Sequence, residues 1–469
     1  MPELTITEGL QLAQQWLRAG RTADVEQLCQ RILSMGPNTD ALQLLSSALL
    51  KLDRRPEAAE TIRSLIRLTP QSAEAWHNLG LVLTPIDRDG AIAAYQSAIA
   101  IRPDFFEARY NLAICWFDAQ RLADAEWLLR DLIDLRPDLP EMHHALGNVL
   151  RAKNQPLEAL AEYQKALAIR PDWAEARWHA SLAMLTLGDF KNGWPAYESR
   201  RQLQGIWREP TFSQPAWRGE DLKGRRILLW TEQGFGDAIQ FIRYAPLIAQ
   251  RGGRVSVLCQ PELRRLFQSC DAIDRLFTTP DEARDFDLQA PLMSLPAIFQ
   301  TTLESIPAVA PYLAADNELA SAWSARMPGI RRVGIAWASG AGAGRSIPAS
   351  EFDPLAAMTD ITFYNLQKSG GGARPNVPML DFSTDLNDFA DTAALVQHLD
   401  LVITCDTAVA HLAGALGKPA WVILPYAAPW RWMLDRADSP WYPTVRLFRQ
   451  RAPGDWRSAV TSVISFLHT

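Results

Sequence analysis

Apolar and polar positions follow a helical period through the first two hundred residues of this 469-residue chain. A proline ends each helical stretch, and the prolines recur at a nearly constant spacing of about 34 residues. These are Pro37, Pro70, Pro103, Pro137 and Pro171. A fixed spacing of this length is typical of stacked helix pairs. The pattern therefore predicts an array of short antiparallel helices.

Small residues recur at fixed places within this period. Ala113 aligns with Gly147, and Ala125 aligns with Ala159. Small side chains let the two helices of a pair approach closely, while larger ones fill the gap to the next pair. The pattern resembles the tetratricopeptide repeat. That resemblance implies a concave surface that binds a peptide or protein, with a spacer or dimerisation role as the alternative.

From Arg226 onward the pattern changes to short apolar runs that alternate with helical stretches. We interpret RILLW, RVSVLC and FDLQA as strands of a first series, and RVGIAW, ITFYNLQ, LDLVITC, AWVILP and TVRLF as strands of a second. Such alternation predicts parallel, doubly wound sheets. The expected fold is an N-terminal α-solenoid followed by two Rossmann-like α/β lobes, which would present their strand ends to a common cleft.

The helical period is lost in the segment EPTFSQPAWRGEDLKG, which predicts a domain boundary. We expect a repeat domain over residues 1–204, a first α/β lobe over residues 205–315, and a second α/β lobe over residues 316–469. The last helix, expected from Asp455 to Leu467, would pack back on the first lobe.

Composition narrows the class of protein. Apolar residues at 48% and charged residues at 21% are typical of a folded, soluble chain, and the net charge of −6 without a basic block argues against nucleic acid. Five scattered cysteines form no CxxC pair, which argues against a disulfide framework or a zinc site. The N-terminal residues do not show the pattern of a signal peptide, and no run is apolar enough to predict a membrane span. We therefore expect a cytoplasmic protein without a transmembrane segment.

The loop after the first strand of the α/β region reads TEQGFGDAIQFIRYAPLIA. Gly234 and Gly236 permit a tight turn, and Asp237 stands at the start of the next helix. A dinucleotide fingerprint would need a third glycine where Ile239 stands and an acid where Gln260 stands, so a nicotinamide-dependent oxidoreductase is excluded. Asp237 is then either a helix cap or a group with a chemical role.

A second loop, in LVITCDTAVAHLAGALGKP, runs from a strand into a helix whose first turn holds Thr407 and Ala408. Free backbone N–H groups and the positive end of the helix dipole favour a diphosphate there. His411 lies on the same helical face, where it could donate to a phosphate oxygen or serve as a structural hydrogen bonder.

Three polar residues follow other strands of the second series. Arg345 ends the small-residue loop ASGAGAGRSIP, where a cation could neutralise a leaving diphosphate. Gln367 and Lys368 end another strand and would face the same cleft. The alternatives are a mobile surface loop for Arg345 and solvated strand ends for Gln367 and Lys368.

Two of these motifs resemble the heptosyltransferase-like family of GT-B glycosyltransferases (family 9-like). The first is Gly236-Asp237 followed by a helix with Tyr244, Ala245 and Pro246. The second is the family's D-T/S-x-x-x-H-L-A motif, present as DTAVAHLA over residues 406–413, with alanine where glycine is frequent.

The resemblance implies an inverting sugar transfer from a nucleotide-sugar to a hydroxyl acceptor, with the acceptor on the side of the first lobe and the nucleotide-sugar on the side of the second. It makes Asp237 the general base, and it places Arg345, Asp406, Thr407 and His411 around the donor diphosphate. It also implies that no metal or other cofactor is needed. The DxD triplet at residues 285–287 falls in a strand of the first lobe, away from that site.

The segment LPYAAPWRWMLDRADSPWYPTVRLFRQ resembles the end of bacterial tetratricopeptide proteins with this transferase domain. Trp430, Arg431 and Trp432 in it would wall the donor pocket or pack between the lobes.

The sequence does not determine the chemical class of the acceptor. A protein or peptide acceptor is suggested by analogy with O-linked N-acetylglucosamine transferases, which also join such repeats to a GT-B domain. One alternative is a glycan acceptor, with repeats that only mediate assembly. The other is a non-catalytic repeat scaffold whose degenerate transferase domain still binds nucleotide.

Overall fold

The computed structural model describes residues 5–203, 209–340, 343–368 and 372–468. The chain divides into two compact units. Unit 1 comprises Met1–Ala152 and Ala161–Pro171, and unit 2 comprises Lys153–Leu160 and Asp172–Thr469. Among the described residues, no helix has both the length and the apolar character that crossing a membrane requires.

Unit 1 is built from short helices in sequential pairs, and the first residues of the last helix are assigned to unit 2. They are α1 (Ile6–Arg18), α2 (Thr22–Met35), α3 (Thr39–Lys51), α4 (Arg55–Leu68), α5 (Ala73–Leu83), α6 (Arg88–Ile101), α7 (Phe106–Asp118), α8 (Leu122–Leu135), α9 (Pro140–Ala152) and α10 (Pro156–Ile169). Consecutive helices contact one another from α1 to α9. This is the repeated helix-pair array that the proline spacing predicts.

The small positions of the repeat have a direct steric cause. A Cβ at Gly80 would lie 2.5 Å from Tyr95 Cε1, and a Cβ at Gly147 would lie 2.5 Å from Tyr163 Cε1. Both tyrosines are buried, so neither ring can move aside without opening the core. The glycine in the first helix and the aromatic ring in the second therefore set how closely each pair packs.

Unit 2 contains the remaining helices and all the strands that the structure describes. The helices are α11 (Ala174–Thr186), α12 (Phe190–Tyr197), α13 (Phe235–Phe241), α14 (Ala245–Gln250), α15 (Pro261–Phe267), α16 (Leu295–Ile298), α17 (Asn317–Ser324), α18 (Phe389–Val396), α19 (Ala408–Ala415) and α20 (Trp456–Leu467). The strands are β1 (Arg226–Trp230), β2 (Arg254–Leu258), β3 (Ile273–Phe277), β4 (Leu288–Pro291), β5 (Arg331–Ala336), β6 (Ile361–Asn365), β7 (Met379–Asp381), β8 (Leu401–Cys405), β9 (Ala420–Leu424) and β10 (Val445–Arg449).

The strands form two sheets, one in each lobe. The first has the order β3-β2-β1-β4 and the second the order β10-β9-β8-β5-β6-β7, and all their ladders are parallel. The predicted α/β fold class is confirmed. In such sheets the carboxyl ends of the strands and the loops that follow them lie at one edge, where ligands bind.

Helix α20 packs differently from the prediction. It contacts β9 and β10 of the second sheet, and its apolar face, which includes Trp456, Val460 and Val463, is buried with Ile423 and Phe448 in that sheet's core. The expectation that the last helix returns to the first lobe is wrong. The reason is local, because the helix follows β10 directly and its apolar stripe can be buried on the nearest sheet face.

Helices α11 and α12 belong to unit 2, although the sequence assigns them to a repeat domain over residues 1–204. Phe190, Trp194 and Tyr197 of α12 are buried in the core of the α/β lobes. Trp194 makes edge contacts with Trp430 and Trp441 at 5.2 and 6.3 Å between ring centroids. The compact units therefore divide near residue 171. The expected boundary at residues 204 and 205 lies outside the described residues.

Candidate functional site

The loop between β1 and α13 places Asp237 in the first turn of α13. Its Oδ2 accepts a hydrogen bond from the Gly234 N–H at 3.1 Å, so the side chain caps the helix. Its Oδ1 forms an ion pair with Arg431, which lies 194 residues further along the chain in the second lobe. The predicted capping contact exists, and the second carboxylate oxygen is engaged across the two lobes.

Arg431 occupies a short 3₁₀ turn, Trp430–Trp432, between β9 and β10. Its residue surface is 9% exposed. Besides Asp237, its Nε donates to Gln240 Oε1 at 2.9 Å, and its guanidinium lies over the Trp430 ring at 4.5 Å from the centroid. Burial lowers the pKa of Arg431. The 3₁₀ turn thus holds a buried cation against α13 of the first lobe, rather than forming only a wall.

The next residue, Trp432, holds a buried acid at the start of α19. Its indole N–H donates to Asp406 Oδ1 at 2.8 Å. Asp406 Oδ2 lies 3.1 Å from Arg345 Nη1, but without the alignment of a hydrogen bond. Burial raises the pKa of Asp406, and the positive charge of Arg345 opposes that shift. Two of the predicted donor-site residues, Arg345 and Asp406, are therefore in contact.

The first turn of α19 lies against the first turn of α13. Thr407 is the N-cap of α19, and its hydroxyl accepts from the Val409 N–H at 3.2 Å. A Cβ at Gly236 would lie 3.5 Å from Ala408 Cα. The two predicted loops are thus brought together, and Asp237 lies next to the amino end of α19.

His411 lies inside this contact and not in an open cleft. It is 4% exposed, its Nδ1 pairs with the Tyr442 hydroxyl at 2.9 Å, and its ring stacks on Trp432. Gly236 is so close that a Cβ there would lie 2.7 Å from His411 Cδ2. Burial, with the nearby positive charge of Arg243, lowers the pKa of His411 to about 3. The imidazole is therefore neutral at physiological pH and joins the two lobes.

Gln367 and Lys368 contact neighbouring loops of the second lobe. Gln367 Oε1 accepts from the Ala338 N–H at 2.8 Å, and Lys368 Nζ donates to the Asn387 carbonyl at 2.9 Å. Both residues lie at the carboxyl edge of the second sheet, as predicted. None of their described hydrogen bonds reaches Asp406 or Thr407.

A cleft of about 820 Å³ opens at the carboxyl ends of β5 and β6. Its lining includes Ser339, Ser346, Asp353, Arg374 and Asn376. Residues 341 and 342 of the predicted small-residue loop, and residues 369–371 beyond β6, lie outside the described residues. Asp353, Arg374 and Asn376 could not be predicted as lining residues, because their loops match no motif. The one sequence signal for this cleft was its position at the carboxyl ends of predicted strands.

A buried ion pair supports the loop that carries Asp237, and the sequence analysis missed it. Arg200 donates through Nη2 to Glu232 Oε1 at 2.7 Å and through Nε to Glu232 Oε2 at 3.1 Å. Both side chains are fully buried, and Arg200 Nη2 also donates to Ser294 Oγ at 2.9 Å. No local pattern indicates this buried pair, since Glu232 and Ser294 lie 32 and 94 residues from Arg200 along the chain.

The DxD triplet lies at the opposite edge of the first sheet. Asp287 Oδ2 accepts from the N–H of Arg226, the first residue of β1, at 2.8 Å. Asp285 has a φ of 58° in the turn before β4. The triplet therefore shapes the amino edge of this sheet and not the edge that carries Asp237.

The chain is similar to known proteins in both parts. Residues 384–450 match a family model described as Glycosyltransferase family 9 (heptosyltransferase), and residues 87–149 and 140–172 match models of the tetratricopeptide repeat. Protein FlbA of Caulobacter vibrioides is 28% identical over 464 residues, which cover 90% of this chain and 72% of FlbA.

Two solved structures resemble part of the chain. A crystal structure of MamA is 23% identical, with a TM-score of 0.34 over 36% of this chain and 93% of MamA. YrrB, described as a TPR protein with an unusual peptide-binding site, is 18% identical, with a TM-score of 0.34 over 36% of this chain and 88% of YrrB. The transferase match contains Asp406, His411 and Arg431. The chain therefore carries tetratricopeptide repeats and, over residues 384–450, a segment similar to Glycosyltransferase family 9 (heptosyltransferase).

Proposed function

We propose that unit 2 transfers a sugar from a nucleotide-sugar donor to a hydroxyl acceptor. The observation that carries this proposal is the contact between the first turns of α13 and α19, through Gly236, Ala408 and His411. This contact places the carboxylate of Asp237 beside the amino end of α19, and α19 lies in the segment that matches family 9. A base next to an anion-binding helix end suits the displacement of a diphosphate.

In the proposed reaction, Asp237 accepts the proton of the acceptor hydroxyl. The acceptor oxygen forms a bond to the anomeric carbon on the face opposite the diphosphate, and the bond from that carbon to the diphosphate oxygen breaks. The electron pair leaves with the diphosphate, so the anomeric configuration inverts. Thr407, the amides of the first turn of α19 and the Arg345 cation stabilise the charge that develops on the leaving group.

The other predicted residues have supporting roles in this proposal. His411 is neutral and buried, so it fixes the contact between α13 and α19 and supplies no positive charge. The cleft at the ends of β5 and β6 has room for a nucleoside, and Arg345 lies in the loop between this cleft and Asp406. Charge stabilisation by Arg345 and by helix amides requires no metal ion.

Tetratricopeptide repeats imply interaction with another protein. We propose that unit 1 binds the acceptor protein or peptide whose hydroxyl is glycosylated. A glycan acceptor, with repeats that only mediate assembly, would leave transfer unchanged when the repeats no longer bind any protein.

The first test measures thermal stabilisation of the full chain by uridine, guanosine, cytidine and adenosine diphosphates and their sugar conjugates, with chelator present. A ligand that binds only the folded protein raises the unfolding midpoint by mass action. We expect one nucleotide family to raise it. If no nucleotide shifts the midpoint at millimolar concentration, the donor site is refuted and the scaffold function is favoured.

The second test separates binding from chemistry. Asp237→Asn should still bind donor and should lose sugar transfer, while Arg345→Ala should weaken donor binding. The matched controls are Asp316→Asn, another acid that caps a helix of unit 2, and Arg457→Ala, an exposed arginine of α20. Transfer by Asp237→Asn at the parental rate would remove the assigned base.

A further inference from the structure

Arg431 is a buried cation for which the reaction proposed above has no role. Its guanidinium is held by the carboxylate of Asp237, by Gln240 Oε1 and by the face of Trp430. A charge taken out of water requires an opposite charge, and Asp237 supplies it here. The residue proposed as the base is thus the ion-pair partner of this guanidinium.

The Arg431–Asp237 pair lies beside the helix start where the diphosphate is expected. Trp432, the neighbour of Arg431, donates to Asp406, and Asp406 directly precedes the N-cap Thr407. On the other side of the pair, Gly236 contacts Ala408 of the same helix turn. Arg431 and Asp237 are therefore each adjacent in sequence to a residue, Trp432 or Gly236, that contacts the amino end of α19.

The guanidinium has donors for a second anion. It carries five N–H groups in a planar fork that suits carboxylate and phosphate oxygens alike. Its two described hydrogen bonds use Nε and Nη2, so they do not engage the Nη1 edge. A diphosphate at the start of α19 would meet an arginine already fixed in place by Gln240 and Trp430.

We propose that Arg431 is shared between Asp237 and the diphosphate of the donor. This inference rests on the proposed function. Without a donor, the guanidinium neutralises Asp237. When a donor binds, the diphosphate draws the guanidinium toward itself, and Asp237 is released to accept the proton of the acceptor hydroxyl. The base becomes available only after the donor is in place, so the donor binds first.

If Arg431 is shared, Asp237 and the diphosphate compete for one cation. This competition predicts the direction in which diphosphate affinity changes when Asp237 is substituted. Removing the negative charge of Asp237 should strengthen diphosphate binding, whereas removing a residue that only supports the site should weaken it. The strengthening must depend on Arg431. Direct repulsion between Asp237 and the diphosphate would also disappear in Asp237→Asn, but it would not need Arg431.

The test is a double-mutant cycle on the full chain, with inorganic pyrophosphate and uridine diphosphate as probes and titration calorimetry as the readout. We expect Asp237→Asn to bind pyrophosphate roughly tenfold more tightly than the parent, within the usual range of coupling between sites. In an Arg431→Gln background the same substitution should change affinity less than about twofold. Asp316→Asn, the other capping acid, should leave affinity unchanged.

Each outcome decides between the alternatives. If Asp237→Asn tightens binding equally with and without Arg431, repulsion explains the effect and the sharing is wrong. If Asp237→Asn binds no more tightly than a parent that does bind the probes, the sharing is wrong and the donor site stands. If the parent binds neither probe nor any nucleotide-sugar, the proposed function fails and this inference fails with it. Should Arg431→Gln not fold, Arg431→Lys keeps the charge without the fork and should reduce the coupling severalfold.

Discussion

The contact between α13 and α19 can be tested by adding a single methyl group. Gly236→Ala places a Cβ 2.7 Å from His411 Cδ2, which is about 1 Å inside ordinary carbon–carbon contact. The imidazole cannot move aside, because it is buried, stacked on Trp432 and hydrogen-bonded to Tyr442. The clash must therefore separate the two helix turns or displace His411.

The magnitude follows from two opposing effects. Overpacking a filled core by one carbon costs about 1–3 kcal/mol. Alanine at a helical position such as 236 recovers about 0.5–1 kcal/mol relative to glycine, because glycine loses more backbone freedom on folding. We expect a net loss of about 1–2 kcal/mol in the free energy of unfolding of unit 2.

Gly234→Ala is the matched control in the same loop. Its added Cβ would meet only Asp237 Oδ2, at 3.5 Å, and its φ of −69° suits any residue. Its stability should stay within about 0.5 kcal/mol of the parent. The assay is denaturant unfolding followed by tryptophan fluorescence, since Trp430 and Trp432 are buried near this contact. Gly236→Ala should also weaken binding of the nucleotide, because a displaced His411 would distort the amino end of α19, where the diphosphate is expected to bind.

Equal unfolding curves for Gly236→Ala and Gly234→Ala would refute this reasoning. The result would mean that the first turns of α13 and α19 are packed loosely enough to accommodate the added methyl group. The proposed base would then lack the close support that the geometry gives it.

Two further predictions concern buried titratable side chains in unit 2. The folded pKa of His411 is about 3, well below its usual value of 6.5, so its contribution to stability is complete above pH 6.5 and is lost as the pH falls toward 3. At pH 5 the loss relative to pH 8 should be about 2 kcal/mol, and the difference between the parent and His411→Gln in unfolding experiments at both pH values measures it. Arg200→Met leaves Glu232 buried without its cation and should cost about 3–5 kcal/mol, whereas the double variant with Glu232→Leu should recover most of that loss in the same denaturation assay. A double variant no more stable than Arg200→Met would argue against the ion pair as the cause.

Much of the fold could be predicted because local patterns determine it. Buried strands such as β1 and β8 are continuous apolar runs, and the helix pairs repeat their small positions. Strands β3 and β7 were not predicted. Both lie at sheet edges, where β3 carries the exposed pair Asp274 and Arg275 and β7 has three residues, so neither shows a buried run.

The site could be predicted loop by loop, but its contacts could not. The parallel topology alone indicates that the residues after β1 and β8 lie at carboxyl edges. The pairing of Asp237 with Arg431 depends on how two lobes pack, and residues 194 positions apart leave no local signal of it. For the same reason the sequence treats His411 as a phosphate contact, whereas its burial depends on Gly236 and Tyr442 from distant segments.

Because α11 and α12 belong to unit 2, only some positions in the chain allow the number of repeats to change without disturbing the α/β lobes. Trp194 and Tyr197 fill the core beneath the 3₁₀ turn of Arg431, and Arg200 follows them directly. Insertion, loss or exchange of repeats ahead of residue 153 leaves these side chains in place. Recombination at the end of the helical pattern would instead separate the enzyme-like core from part of its own interior. Relatives that differ in repeat number should therefore inherit this last helix pair together with the α/β lobes.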